Sequence, residues 1–130
     1  MTYLLDTDTV SYLYKGEGNV ITEFVSKKPS DIAISAISAA ELRLGARRKG
    51  SKKINHWLDV LFESVTIIAF DKEAAEIFGR VAAKLLNKGS PIGENDTMIA
   101  SQALSNGLIV VTNNTKHFSK VDRLKIENWL

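Results

Sequence analysis

The chain has 130 residues, with 17 lysine and arginine residues against 15 aspartate and glutamate residues, which gives a formal net charge of +2. Its 45% hydrophobic and 25% charged residues are ordinary proportions for a globular domain. The absence of cysteine excludes a disulfide framework and thiolate metal sites. No apolar run approaches the ~20 residues of a membrane span, and the N-terminus lacks a secretory signal pattern. We therefore expect a cytoplasmic protein that forms one domain over residues 1–130.

Short apolar runs alternate with stretches of helical periodicity along the chain. Strands are predicted at residues 3–5, 32–35, 65–70 and 108–112, with a short edge strand at 124–127. Helices are predicted at 7–15, 20–28, 38–48, 52–63, 72–87 and 94–105, and a loop at 113–120. Strands that alternate with helices require right-handed crossovers. This pattern predicts an α/β fold, a three-layer α/β/α sandwich around a mostly parallel sheet of about five strands.

Single residues add detail to three of these helices. Ser38 and Glu41 have the spacing of a capping box, which predicts that the third helix begins at Ser38. The apolar periodicity of the second helix predicts that Ile21 and Val25 face the core, and that of the long helix predicts the same for Leu86.

The first predicted strand runs directly into acidic residues, in the stretch Leu4-Leu5-Asp6-Thr7-Asp8. An unbroken apolar run fits a strand of a parallel sheet that is buried on both faces. Ligands of open parallel sheets bind beyond the carboxyl ends of the strands, so Asp6 would lie at the mouth of such a crevice. Asp6, Thr7 or Asp8 can equally serve as the N-cap of the next helix, since Asp and Thr favour that position.

Other polar residues are predicted at the same edge of the sheet. Glu41 follows the second strand, Asp96 lies in the first turn of a later helix, and Asn114 follows the strand after that helix. Each has an ordinary structural explanation: the capping box for Glu41, the helix dipole for Asp96, and a turn for Asn114. Together with Asp6 they would crowd carboxylates at one rim, and their repulsion requires a compensating cation. Carboxylate and water oxygens are the ligands that Mg²⁺ and Mn²⁺ prefer.

Other chemistries have little support in the sequence. His56 is predicted in a helix and His117 in a loop, and neither has a partner at metal-ligand spacing, so a zinc site is not expected. The chain has neither a nucleophilic serine elbow nor a glycine-rich phosphate loop.

Several motifs follow one another along nearly the whole chain. They are Leu4-Leu5-Asp6-Thr7, Glu41-Leu42 with Gly45-Ala46, Pro91-Ile92-Gly93 with Asp96 and Ile99-Ala100, Val111-Thr112-Asn113-Asn114 with Phe118, and Glu127-Asn128-Trp129. In these motifs the chain resembles the PIN-domain ribonucleases and, among them, the VapC toxins of bacterial toxin–antitoxin pairs. The block from Pro91 to Ala100 is the most specific part of this resemblance.

The resemblance implies an α/β/α sandwich with Mg²⁺- or Mn²⁺-dependent endoribonuclease activity that inhibits translation. The metal-site acids of the family map onto Asp6, Glu41 and Asp96. The fourth family position, often Asp, is Asn114 here, and a neutral amide is a poorer ligand, which leaves open whether one or two ions bind. Thr112 maps onto a hydroxyl that supports the acidic cluster.

The basic residues are clustered in ways that suit a phosphate backbone. Arg80, Lys84 and Lys88 recur every four residues and form one stripe of a helix, although such a stripe is more often a solvated face. The candidate RNA contacts are Arg43, Arg47, Arg48, Lys84, Lys88 and Lys116. The resemblance further implies a structured RNA substrate such as tRNA, a VapB-like antitoxin partner that blocks the acidic pocket, and a homodimer.

Two alternatives remain open at this point. Residues 4–10 also match the first motif of haloacid-dehalogenase-type phosphatases, in which Asp6 would be a covalent nucleophile and Asp8 a general acid. No paired acids follow a later strand, and the chain is short for that fold. The second alternative is a PIN module that binds RNA without turnover, which the amide at Asn114 keeps open.

Overall fold

The computed structural model of the protein describes residues 1–130 and is built on a five-stranded sheet. The strands have the order β3-β2-β1-β4-β5, and every neighbouring pair is parallel. The strands are β1 Tyr3–Leu5, β2 Ile32–Ser35, β3 Thr66–Ile68, β4 Ile109–Val111 and β5 Ile126–Glu127. The predicted parallel sheet with an edge strand near the C-terminus is therefore confirmed. Because β1 is central, the residue that follows it lies in the middle of the rim.

Helices cover both faces of this sheet. They are α1 Thr7–Lys15, α2 Val20–Val25, α3 Ala36–Lys49, α4 Lys52–Ser64, α5 Lys72–Asn87, α6 Glu94–Asn106 and α7 Thr115–Phe118, with a 3₁₀ turn at Pro29–Asp31. Successive residues of a strand point to opposite faces. Accordingly, Leu4 packs in one core cluster with Leu85 and Ile99, whereas Leu5 packs in a second cluster with Val10 and Leu61. The three-layer α/β/α arrangement follows from these two separate cores.

The predicted capping box at the start of the third helix is wrong. Helix α3 begins at Ala36, and its N-cap is Ser35, whose hydroxyl accepts a hydrogen bond from the Ile37 amide at 3.0 Å. Ser35 is the last residue of β2, so the chain turns into the helix without any connecting loop. Ser38 is therefore already inside the first turn and is fully buried. Glu41 consequently has no capping role and can face the rim of the sheet.

The predicted loop at residues 113–120 is also wrong in part, because residues Thr115–Phe118 form the short helix α7. Four residues are too few to show helical periodicity in the sequence. Phe118 is fully buried in the first core cluster and holds this short helix against the core. This helix starts just beyond the carboxyl end of β4, so its side chains reach the same rim as Asp6.

Three apolar residues predicted to face the core are exposed instead. The exposed fractions are 47% for Ile21, 70% for Val25 and 64% for Leu86. Helix α2 has only six residues, and Val20 is the one residue that it buries. Its other apolar side chains therefore remain at least partly exposed. Amphipathic periodicity identifies an apolar face but does not say what covers it. None of the helices combines the length and the apolar composition that crossing a membrane requires.

Candidate active site

Asp6 lies at the carboxyl end of the central strand. Its amide donates to the carbonyl of Val111 in β4 at 3.0 Å, which continues the parallel ladder one residue past β1. Its carboxylate caps α1 by accepting a hydrogen bond from the Thr9 amide at 2.9 Å. Both interpretations of Asp6 from the sequence are therefore correct, since one residue serves as N-cap and as the acid at the rim.

Asp6 is only 4% exposed, and its carboxyl group has no basic partner. Burial raises its pKa above the ordinary value, and Thr112 and the hydrogen bond from Thr9 offset this effect only in part. The nearby Asp8 carboxylate raises the pKa further. Neither Asp6 nor Asp8 forms an ion pair with a lysine, an arginine or a histidine. The ionised form of Asp6 is thus uncompensated by any charge of the protein.

Glu41 is held at the rim from the side of α1. The Thr7 hydroxyl lies 2.8 Å from the Glu41 Oε1 atom and 2.9 Å from the Ser38 hydroxyl. A carboxylate only accepts, so the Thr7 proton goes to Glu41 and the Ser38 hydroxyl can donate to the Thr7 oxygen. Helices α1 and α3, which follow adjacent strands, therefore orient Glu41 beside the Asp6 cap.

Asp96 is in the first turn of α6, next to the residues already described. Its side chain is half-buried, and burial raises its pKa. The nearby His117 imidazole opposes this shift in the pKa of Asp96, whereas Asp8 and Glu41 add to it by repulsion. Carboxylates from α1, α3 and α6 therefore act on one another electrostatically. We call Asp6, Asp8, Glu41 and Asp96 the acidic cluster. The sequence left the role of Asp8 open, and its effect on the pKa of Asp6 and of Asp96 assigns it to this cluster.

Thr112 and Asn114 connect the end of β4 to the cluster. The fully buried Thr112 hydroxyl accepts a hydrogen bond from the backbone amide of Asn114 at 2.9 Å, and it opposes the rise in the pKa of Asp6. The Asn114 side chain contacts the same imidazole as Asp96, with its Nδ2 atom 2.9 Å from Nδ1 of His117. At the fourth family position, therefore, this chain has an amide that contacts an imidazole.

The sequence predicts His117 as a loop residue and does not place it beside Asp96. Its Nδ1 atom lies 3.5 Å from Oδ2 of Asp96. Asn114 and His117 are three residues apart, a spacing that brings side chains together only on a helix. Because the sequence predicted a loop here, that signal was not available.

The donor set suits a hard divalent cation, although no three side chains are already gathered around one point. No group of three or more histidine, aspartate or glutamate residues is arranged as a complete metal site. Mg²⁺ usually takes only one or two carboxylates and keeps several waters or phosphate oxygens, so a complete protein cage is not required. Asp6, Glu41 and Asp96 offer only oxygen ligands and lack a lysine or arginine partner, so they fit such an ion.

The candidate RNA-contacting cations differ in their surroundings. The Arg43 guanidinium is 2.5 Å from an Asp59 carboxylate oxygen and donates to the Asn55 carbonyl, so α4 holds it. Lys84 forms an ion pair with Asp122. The others, Arg47, Arg48, Lys88 and Lys116, are exposed.

This fold and this acidic rim define a class of protein, the PIN domain. A family model described as PIN domain matches residues 3–124. The chain is 34% identical to ribonuclease VapC2 of Haemophilus influenzae, with 100% of this chain and 99% of the relative covered. It is 33% identical to the tRNA(fMet)-specific endonuclease VapC of Salmonella typhimurium, with 99% and 98% covered. The chain therefore belongs to the PIN-domain family and, within it, to the VapC ribonucleases.

Solved structures agree with this assignment. The DNA-bound VapBC of Salmonella typhimurium contains a chain that superposes with a TM-score of 0.92 at 32% identity, with 100% of this chain and 99% of that chain covered. The DNA-bound VapBC2 of Rickettsia felis contains one with a TM-score of 0.87 at 34% identity, with both chains fully covered. The assignment favours the nuclease family over the haloacid-dehalogenase alternative, for which Asp8 would be a general acid.

Proposed function

We propose that this protein is a Mg²⁺- or Mn²⁺-dependent endoribonuclease that acts as the toxin of a toxin–antitoxin pair. Asp6, Glu41 and Asp96 hold the ion in this proposal, and residues 1–130 act as one nuclease domain. One observation supports it above the others. Burial raises the pKa of Asp6 and of Asp96 at the carboxyl end of the sheet, and the Asp8 carboxylate adds to both shifts. Glu41 adds to the rise in the pKa of Asp96, and no lysine or arginine pairs with these acids.

The residues of the chain supply position and charge. The Thr9 amide fixes the Asp6 carboxylate, and the Thr7 hydroxyl fixes that of Glu41. These hydrogen bonds orient the ligands before RNA arrives, so little reorganisation is needed at the reacting phosphate.

A bound Mg²⁺ or Mn²⁺ supplies a water of lowered pKa and neutralises charge on the scissile phosphate. Asn114 contributes a neutral group where family members often have an acid. We therefore infer that one ion binds tightly, beside Asp6 and Asp96, and that any second ion is held weakly.

Structured RNA is the proposed substrate, and tRNA is the first candidate because curated relatives bear the name tRNA(fMet)-specific endonuclease. Exposed cations near the rim would contact phosphates without reading bases. A basic residue of a VapB-like antitoxin would be the natural inhibitor of an acidic cleft, and solved relatives were crystallised as VapBC complexes. A homodimer in the cytoplasm completes the proposal.

The experiment compares the wild type with Asp6→Asn, Asp96→Asn and a control, Asp31→Asn. Asp31 immediately precedes β2, so it lies at the amino ends of the strands, whereas the acidic cluster lies at their carboxyl ends. Cleavage of purified tRNA is measured with Mg²⁺, with Mn²⁺ and with EDTA. We expect metal-dependent cleavage by the wild type and by Asp31→Asn, and none by the other two. Cleavage by either active-site variant at the wild-type rate would overturn the site assignment. RNA binding without any metal-stimulated cleavage by the wild type would favour the non-catalytic module.

A further inference from the structure

A second concave surface contains none of the residues of the acidic cluster. It is a cleft of about 410 Å³ between α5, the end of α6 and the segment that follows α7. Aliphatic side chains, among them Val81 and Leu104, form its floor. Basic side chains surround this floor, namely Arg80, Lys84, Lys120 and Arg123. We call this surface the basic cleft.

One acidic residue lies among these cations. Asp122 forms an ion pair with Lys84, and both side chains are 57% exposed. The positive charges of Lys84, Lys88 and Arg123 lower the pKa of Asp122 below its ordinary value, with the Lys84 hydrogen bond as the largest cause. An exposed pair of this kind contributes little to stability. Its main effect is to reduce the positive potential of the basic cleft.

Arg123 has a backbone conformation that is unfavourable for residues other than glycine. Arg123 has φ 66°, and it is the only residue other than glycine with a positive φ. A residue with a Cβ atom in this left-handed region costs roughly 1 kcal/mol relative to glycine. Arginine therefore stands at a turn where glycine would be favoured, and its side chain lines the basic cleft.

Two elements connect the basic cleft to the acidic cluster. On α6, Asp96 and Leu104 are eight residues apart along the helix, which corresponds to roughly 12 Å at a rise of ~1.5 Å per residue. Helix α7 carries His117, which contacts Asp96, and Lys120 follows it by three residues and lines the cleft. A single strand of nucleic acid can therefore contact both surfaces.

We propose that the basic cleft binds the phosphate backbone of the RNA substrate outside the acidic cluster, and that Asp122 competes with those phosphates for Lys84. This inference rests on the proposed ribonuclease function. Charge complementarity favours a polyanion, since the lining of the cleft contains four cations, Arg80, Lys84, Lys120 and Arg123, and a single anion, Asp122. The partly buried aliphatic floor suits the apolar parts of ribose and base.

The test measures binding of a fluorescein-labelled oligouridylate by anisotropy in EDTA, so that no cleavage occurs. Asp122→Asn is expected to bind about threefold or more tightly than the wild type at low salt, an advantage that added salt screens. Arg123→Gly removes a cation and relieves the backbone at the same time. It is expected to bind more weakly and to lower the slope of log affinity against log salt by about 0.7, the loss of one phosphate contact.

Lys15→Gln is the matched control, because it removes one positive charge and Lys15 is an exposed lysine in the last turn of α1, outside the cleft. It should bind oligouridylate as the wild type does. Equal affinity of Asp122→Asn and wild type, or an Arg123→Gly variant that binds like Lys15→Gln, would overturn the proposal. A change in self-association rather than in RNA binding, seen by sedimentation, would assign the cleft to a protein interface and also overturn it. Because binding is measured without cleavage, an inactive wild type that still shows this pattern would refute the nuclease function and leave the basic cleft assigned.

Discussion

The Nδ1 atom of His117 lies 3.5 Å from Oδ2 of Asp96 and 2.9 Å from Nδ2 of Asn114. Groups that hydrogen-bond to ligands fix their orientation, and their loss commonly costs about 10–100-fold in metal affinity or activity. We therefore regard His117 as a positioning residue that acts through Asp96.

We expect His117→Ala to raise the Mn²⁺ concentration for half-maximal cleavage about tenfold, while the maximal rate falls less. His117→Gln, which keeps a donor at a similar position, should restore part of this shift. The control is His56→Ala, since His56 is an exposed residue of α4. A metal titration identical for His117→Ala and His56→Ala would remove His117 from the site.

The Asp6→Asn variant separates stability from activity. Burial holds the pKa of Asp6 above its unfolded value. Below about pH 4 the carboxyl group is protonated in the folded and the unfolded protein, and it destabilises the fold least. As the pH rises through the pKa of the folded state, the buried group ionises and the free energy of unfolding falls. Asparagine keeps the N-cap and removes the buried charge.

In EDTA at neutral pH, Asp6→Asn should melt at the wild-type temperature or above it, and it should not cleave RNA. Mn²⁺ should raise the melting temperature of the wild type and leave that of the variant unchanged. Thermal melts with and without the ion give the answer. A strongly destabilised Asp6→Asn protein would mean that the charge itself is needed for folding.

The Thr7 hydroxyl tests whether Glu41 must be oriented. Thr7→Val removes the hydrogen bond to Glu41 with little change of shape and should cost about 1 kcal/mol of stability. We expect a cleavage rate about tenfold lower, because the Glu41 carboxylate becomes free to turn away. Thr7→Ser keeps the hydroxyl and should retain most of the activity. Similar rates for the valine and serine variants would show that Glu41 acts without this contact.

Asn114→Asp restores an acid at the fourth family position. The added carboxylate should lower the melting temperature in EDTA, since it joins a cluster that already repels itself. It should also tighten Mn²⁺ binding about tenfold, because affinity follows the charge of the ligands. Calorimetric titration of Mn²⁺ measures both the affinity and the number of ions. If neither changes, the side chain at position 114 lies outside the metal site.

The first strand and its acid could be predicted from the sequence because the causes are local. Tyr3–Leu5 is an unbroken apolar run, Asp6 follows it, and Gly16 with φ 69° ends the next helix where predicted. Strand β4 could be predicted for the same reason, since Ile109–Val111 lies within an unbroken apolar run. The start of α3 could not, because Ser38 and Glu41 have the spacing of a capping box, whereas the chain enters the helix directly from β2 with Ser35 as the cap.

By itself, the sequence predicted the order of the strands and of the helices before α7, contained the PIN-domain motifs, and offered Asp6, Glu41 and Asp96 as candidate metal ligands. Only the tertiary structure decided which side chains meet: Thr7 with Glu41, His117 with Asp96, and Asp8 with the other carboxylates. The physical reason is that apolar periodicity and capping act within a few residues of the chain. Contacts between α1, α3, α6 and α7 depend instead on how the sheet orders its strands, and that order brings distant residues to one rim.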